Sequence, residues 1–207
     1  MKTGPKFKIC RRLGSDIYEK CQTQKYILSE SKKSRNIGKG KKRRKVLSDY
    51  GKQLLEKQKV RFTYGISEKQ FKNIVKEAVS KKGKEAKEAL YEILESRLDN
   101  TVYRLSLAPS RRMARQMVSH GHITVDGRKV TIPSFGLRKG HKISIREGSK
   151  NKGFFVNLDE KIKDGGAIPA WIKFDLPKRE ALISGRPKMS AGESLLDLNT
   201  VIEFYSK

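Results

Sequence analysis

LESRLDNTVYRLSLAPSRRMARQMVSHGHITVDGRKVTIPSFGLRKGHKISI, residues Leu94 to Ile145, decides how this chain folds. Ser110 follows Pro109 and precedes a short run with apolar residues at helical spacing, so its hydroxyl can accept an orphan amide in the first turn of a helix over about Arg111 to Ser119. At roughly 100° per residue, Met113, Ala114, Met117 and Val118 fall on one face and Arg111, Arg112, Arg115, Gln116 and Ser119 on the other. Gly121, just after His120, suits the left-handed position that ends a helix. Ile123-Thr124-Val125 and the run from Arg128 through Lys129 to Ile132 then flank Asp126-Gly127, a pair fitted to the two positive-φ positions of a type I′ hairpin turn. Upstream, Leu90, Leu94, Leu98, Val102 and Leu105 recur at three- and four-residue steps, which predicts a second amphipathic helix over about Glu85 to Leu105 with Arg97 and Arg104 on its outer surface. Two helices leading into a hairpin set a row of guanidiniums beside His120 and His122. Such a row matches the spacing of nucleic-acid phosphates better than it matches a small anion.

The charge balance points the same way. The 207 residues include 48 Lys and Arg against 22 Asp and Glu, a net charge of +26. Self-repulsion of that size opposes compaction unless a polyanion relieves it, so nucleic acid is the expected partner. A membrane surface is the other polyanion, but no apolar stretch approaches the roughly 20 residues that span a bilayer, and no lipidation motif is visible. The N-terminal MKTGPKFKICRRLG lacks the apolar core of a secretory signal, and a cytoplasmic location is expected. The length allows one large domain or two small ones. Cys10 and Cys21 do not make a disulfide framework; they are expected to be reduced, ordinary thiols.

Residues 1–46 show little apolar periodicity, and Lys32 to Lys45 holds nine Lys or Arg and no acid. This extension is expected to be disordered alone and to order on RNA, with Arg43, Arg44 and Lys45 as contacts. Ser48 can cap a helix carrying Tyr50, Leu54 and Leu55. Ser67-Glu68-Lys69-Gln70 reads as a capping box that opens a helix with Phe71, Ile74, Val75, Ala78 and Val79 on one side. After the hairpin, Lys142 to Arg146, Phe154 to Asn157 and Trp171 to Asp175 are strand candidates; Pro177 to Gly192 reads as irregular, and Leu195 to Tyr205 as a short terminal element.

RLDN, Arg111-Arg112 with Ala114-Arg115-Gln116, Ser119-His120-Gly121-His122-Ile123, Val125-Asp126-Gly127 and Ile132-Pro133-Ser134 resemble the RNA-binding domain of the small-subunit ribosomal protein S-four family, bacterial type. The domain alone also occurs in RNA-modifying enzymes and a tyrosyl-tRNA synthetase appendage. The flanking Leu47-Ser48-Asp49-Tyr50-Gly51, Glu68-Lys69-Gln70-Phe71 and Val201-Ile202-Glu203-Phe204-Tyr205-Ser206 resemble only the ribosomal protein. Ser106-Leu107 replaces the usual Gly-Phe, Asp126 the usual Asn and His141 the usual Asp. Some members bind structural zinc with four cysteines, but here Phe7 and Tyr26 hold two of those positions, so no metal is expected.

The expected fold is therefore α+β: a basic extension (1–46), a split helical domain (47–94 plus 193–207), and an inserted RNA-binding domain with two helices, a small antiparallel sheet and the following strands (95–192). The resemblance implies a structural protein of the small ribosomal subunit that binds its rRNA at a helical junction, nucleates assembly and influences translational fidelity. It also implies contact with ribosomal protein S-five and other small-subunit proteins, and a place near the mRNA entry path. The alternatives are a translational autorepressor or antitermination factor and, from another class, an RNA-modifying enzyme. Candidate RNA contacts in the central stretch are Arg97, Arg104, Ser110, Arg111, Arg112, Arg115, Gln116, Ser119, His120, His122 and Lys129. His120, His122 and His141 have no nucleophile or phosphate-binding glycine loop beside them, so catalysis and a cofactor are not expected.

Overall fold

The computed structural model describes residues 4–37, 47–150, 153–156, 168–189 and 196–206. The chain divides into two compact units, Met1–Val75 with Ser194–Lys207, and Lys76–Glu193.

In the first unit, α1 (Lys6–Leu13) ends at Gly14, whose φ of 64° supplies the left-handed cap, and is followed by a 3-10 turn (Glu19–Gln22) and α2 (Gln24–Ile37). The N-terminal segment thus carries more structure than its composition suggests. The physical reason is a local cluster: Cys10 and Cys21 are joined as a disulfide, and Phe7, Tyr18 and Tyr26 pack around them, with the Phe7 and Tyr26 rings 5.1 Å apart. This corrects the expectation of two free thiols. The cluster does not fit zinc either, because both sulfurs are spent on each other and aromatic rings occupy the places where further donors would stand. Among the described residues no group of three or more His, Cys, Asp or Glu side chains could hold a metal.

Ser48 caps α3 (Asp49–Tyr64) by accepting the Gly51 amide at 3.3 Å, and Ser67 accepts the Gln70 amide at the start of α4 (Glu68–Ser80). The buried stripe of α3 is not the one expected. Tyr50 is exposed, and Gln53, Lys57, Val60 and Tyr64 face inward. The C-terminal helix, which follows Asp197 as its capping side chain, packs along α3 and explains this choice. Gln53 bonds Glu203 at 3.3 Å, and the Lys57 ammonium sits 4.6 Å from the centre of the Phe204 ring while bonding Glu68 at 2.8 Å. A lysine can be buried here because its stem packs as hydrocarbon and its charge meets both a ring and a carboxylate.

In the second unit, α5 (Ala86–Glu95) and α6 (Leu98–Arg104) replace the single helix expected over Glu85 to Leu105. Arg97 is extended (φ −68°, ψ 139°) and pairs with Gly136 in an isolated bridge. The helix breaks because a distant loop takes its backbone groups: Leu98 and Asp99 donate to the carbonyls of Phe135 and Pro133, and Leu137 donates to Ser96. Then come α7 (Arg111–Ser119), β1 (Ile123–Val125), β2 (Arg128–Lys129), β3 (Lys142–Ile145), the four-residue α8 (Gly153–Val156), β4 (Ile172–Asp175) and β5 (Glu180–Ile183). The last helix of the chain, in the first unit, is α9 (Leu198–Ser206).

The strands form one antiparallel sheet in the order β2-β1-β3-β5-β4. Asp126 and Gly127 take φ values of 50° and 76°, as a type I′ turn needs. The register sets Val125, Ile143, Ala181 and Phe174 in one row across four strands, and Ile172 beside Ile183. These residues join Val102, Leu105, Met117, Val118 and Phe155 in one core. The fold is α+β.

Three expectations about this part of the chain are corrected. Phe154 to Val156 is helical, with Phe155 fully buried, and Asn157 lies outside the described residues. Pro177 to Gly192 contains β5, along which Ala181 and Ile183 alternate inward, just after a turn where Arg179 has φ 53°. β2 is also shorter than expected: past Lys129 the Val130 amide still bonds the Ile123 carbonyl at 3.3 Å, and the chain then turns away toward Pro133.

Ser106 has φ 56° just after α6, at the position where the family resemblance leads one to expect glycine. A side chain in the left-handed region costs roughly 1 kcal/mol, partly offset by the extra freedom of glycine in the unfolded chain. Ser106→Gly should therefore raise stability by about 0.5 kcal/mol, visible as a higher melting temperature by circular dichroism. A lower one would show that the serine side chain contributes more than its backbone costs.

Burial pushes the Glu68 carboxyl up, but hydrogen bonds from Lys57 and Tyr205, with the charges of Lys57 and Arg61, outweigh it and hold its pKa below the ordinary value. A depressed carboxylate stabilises the fold above its unfolded pKa, and this contribution is lost as pH falls through the lower native one. The melting-temperature gap between the parent chain and Glu68→Gln should accordingly be widest near neutrality and close with acidification below the usual carboxylate range. A gap independent of pH would rule out this pairing as its origin.

Candidate nucleic-acid interface

The cationic surface of the second unit is built on two buried carboxylates. Glu95, the last residue of α5, is 0% exposed, and Asp99, in the first turn of α6, is 3% exposed. An unpaired carboxylate at such depth would be strongly disfavoured, and each is met by charge and hydrogen bonds together. Arg104 grips Glu95 with both arms of its fork, Nε to Oε2 at 2.9 Å and Nη2 to Oε1 at 3.0 Å. Asn100 donates to Glu95 Oε2 at 2.9 Å and, through its own Oδ1, accepts Arg111 Nε at 2.8 Å. The Arg111 guanidinium also lies 4.4 Å from the centre of the Tyr103 ring. Asp99 accepts Arg97 on both oxygens, at 3.0 and 2.9 Å, and Arg115 Nε and Nη2 on Oδ2, at 2.9 and 2.7 Å.

These contacts sort the arginines. Arg97, expected on the outer surface, is buried within the break between α5 and α6. Arg104, Arg111 and Arg115 are half-buried and held in place. On the outer edge of α7, Arg112, Gln116, Ser119 and then His120 are exposed. Ser110 is engaged as the cap of α7, accepting the Met113 amide at 3.2 Å. The inward face of the helix is as expected: Ala114, Met117 and Val118 are buried and Met113 is partly so.

Lys129 is exposed on the hairpin, and its stem crosses Gly121 so closely that a β-carbon there would collide with it; Gly121 also has φ 71°. The positive φ calls for glycine at the turn out of α7, while the exposed lysine end could swing aside from a larger residue. His122, expected beside His120 at the surface, is instead in the core. Its Nδ1 meets Ser149 Oγ at 3.0 Å, and its ring lies against those of Phe154 and Phe155. Arg43, Arg44 and Lys45 lie outside the described residues.

The chain is similar to known proteins over nearly its whole length. The family description "Ribosomal protein S4/S9 N-terminal domain" matches residues 1–95 and "S4 domain" matches residues 96–143. The chain is 42% identical over 204 residues to the small ribosomal subunit protein uS4 of Chromobacterium violaceum, covering 99% of this chain and 98% of that protein. It is 40% identical over 208 residues to its counterpart in Halalkalibacterium halodurans and 40% over 205 residues to that of Geobacillus stearothermophilus, with the same coverage. The chain belongs to the uS4 family of small ribosomal subunit proteins.

That is a family of ribosomal proteins and not of enzymes. The two matched regions meet between Glu95 and Ser96, where α5 ends. Sequence reasoning missed Glu95 and Asn100 and gave Asp99 no role. Their signal was faint: Glu95, Asp99 and Asn100 stand among the apolar positions Leu94, Leu98 and Val102, and the structure buries every residue from Leu94 to Val102 but Ser96. It also passed over Arg128, Arg138 and Lys139, which are exposed on the hairpin and the loop that follows.

The structure separates the candidate arginines into two energetic classes. Arg97→Ala strands part of the buried Asp99 charge and should lower unfolding stability by about 3 kcal/mol or more. Arg112→Ala trims an exposed side chain and should change it by no more than about 0.5 kcal/mol. Urea unfolding of the two variants side by side checks this, and equal losses would contradict the assignment of Arg97 to the interior.

Proposed function

We propose that this chain binds small-subunit rRNA directly through the face made by α6, α7 and the β1–β2 hairpin. On this reading it grips a helical junction early in assembly and so nucleates folding of the surrounding rRNA, as a constituent of the cytoplasmic ribosome. The observation that carries the reading is a line of cations held at fixed places: Arg104, Arg111 and Arg115 anchored to Glu95, Asn100 and Asp99, with Arg112, Gln116, Ser119 and His120 exposed beside them. A-form RNA hides its major groove from side chains, so recognition proceeds through phosphates, 2′-hydroxyls and shape. Fixed arginines carried by two neighbouring helices suit that mode. Lys129 extends the line onto the hairpin, and Arg43, Arg44 and Lys45 add contacts from the basic extension. Arg97, Ser110 and His122 serve the face from behind, by packing and capping. Contact with ribosomal protein S-five, a place near the mRNA entry path and an influence on decoding fidelity complete the reading, on the strength of the family membership.

Each phosphate neutralised on nucleic acid contributes about 0.7 to 0.9 to the dependence of log affinity on log salt. With four or five cations engaged, the slope for a small-subunit rRNA transcript should be roughly −3 to −5. A slope near −1 would end the polybasic picture. Mass spectrometry of sucrose-gradient fractions should find the chain at one copy per small subunit. A predominantly free pool would instead point to a regulator of messages.

A further inference from the structure

Glu95 and Asp99 are acids placed where bulk electrostatics would forbid them, directly behind the surface that the reading above offers to RNA. We propose that they are positioning residues for RNA binding: they touch no phosphate, and they fix the guanidiniums of Arg104 and Arg115 in the orientation that a phosphate meets. The proposal rests on the rRNA-binding reading and adds to it the counter-intuitive claim that two negative charges strengthen binding to a polyanion.

The geometry carries the argument. The Glu95 side chain is 0% exposed and that of Arg104 is 26% exposed, so their ion pair runs from the core to the surface. Asp99 and Arg115 repeat the arrangement, with side chains 4% and 31% exposed. In each pair the carboxylate engages Nε and Nη2, one edge of a planar fork, and this fixes the plane and direction of the whole group. An unrestrained arginine loses much rotamer freedom when it binds a phosphate, whereas here that freedom is already lost on folding. Asn100 extends the same control to Arg111 by linking its Nε to Glu95. A lysine in any of these places would supply equal charge without the fixed plane.

The test turns on opposite signs. Glu95→Gln and Asp99→Asn keep the shape of the side chain and each make the chain one unit more positive. If only total charge matters, both variants should bind a small-subunit rRNA transcript more tightly. Positioning instead requires roughly tenfold weaker binding and a salt slope smaller in magnitude by about one. It also requires that Glu95→Gln have little further effect in an Arg104→Ala background. Affinities are measured at a temperature where circular dichroism shows each variant fully folded. A merely structural role would leave the slope unchanged.

Where Glu95→Gln does not fold at that temperature, Arg104→Lys decides, because it keeps the cation and loses the two-armed grip. It should bind nearly as weakly as Arg104→Ala. Tighter binding or an unchanged slope in the carboxylate variants, or parent-like binding by Arg104→Lys, overturns the positioning role alone. Failure of the parent chain to bind, or indifference to Arg112→Ala, overturns the rRNA-binding face itself and the positioning claim with it.

Discussion

Burial of the Glu95 and Asp99 carboxylates at the break between α5 and α6 is the constraint on which the second unit depends. Taking a carboxylate out of water costs several kcal/mol even after relaxation, and the cost is recovered only if its oxygens find donors and its charge finds a partner. Both conditions are met by residues of α6, α7 and the break itself: Arg104 and Asn100 for Glu95, Arg97 and Arg115 for Asp99. The two acids therefore fix where α7 can lie against α6, since only one placement brings Arg115 onto Asp99 and Arg111 onto Asn100. The same break frees backbone groups that the loop at Pro133, Phe135 and Leu137 satisfies, which ties the lead into β3 to the helices.

A related economy holds in the first unit, by different chemistry. Lys57 is nearly as buried as Arg97, yet its ammonium is met by one carboxylate and two aromatic rings rather than by a bidentate partner. A compact ammonium needs no fixed plane, so the rings of Phe204 and Tyr205 can share it with Glu68. The Tyr205 hydroxyl completes the set by donating to Glu68 at 2.7 Å; burial and the bonded carboxylate both push its pKa up, so it remains a donor at physiological pH. A net charge of +26 is thus accommodated in part by making cations into packing material.

How much of this was legible in the sequence follows from how local each cause is. α7, its serine cap and the Asp126-Gly127 turn were readable because each is decided by residues within one or two turns of each other. The single helix expected over Glu85 to Leu105 was wrong because its break is caused by carbonyls at 133 and 135, more than thirty positions away. β5 was missed because four residues with one alanine make a faint alternation. Their strand character comes from pairing with β3 and β4 on either side. The inward face of α3 was misassigned because hydrophobicity pointed to Tyr50, Leu54 and Leu55, whereas the C-terminal helix selects Gln53 and Lys57. The pairing of Cys10 with Cys21 depends on the aromatic cluster of Phe7, Tyr18 and Tyr26 that brings the sulfurs together, which spacing alone does not reveal.

The same distinction governs the candidate interface. Helical periodicity placed Arg111, Arg112 and Arg115 on one polar face, and in the coarse sense they are. Yet α7 has three sides rather than two. Ala114, Met117 and Val118 face the core; Arg111 and Arg115, four apart, face α6 and its buried acids; Arg112, Gln116 and Ser119, spaced by four and three, face solvent. Periodicity can find the first side because apolar residues mark it. It cannot divide the other two, since arginine serves both, and what divides them is a pair of acids in another helix. An arginine pinned from behind presents its charge at one place and in one plane, while its neighbour a residue away is free to search. The acids at the break between α5 and α6, not the period of α7, decide which guanidiniums are fixed and which is left exposed.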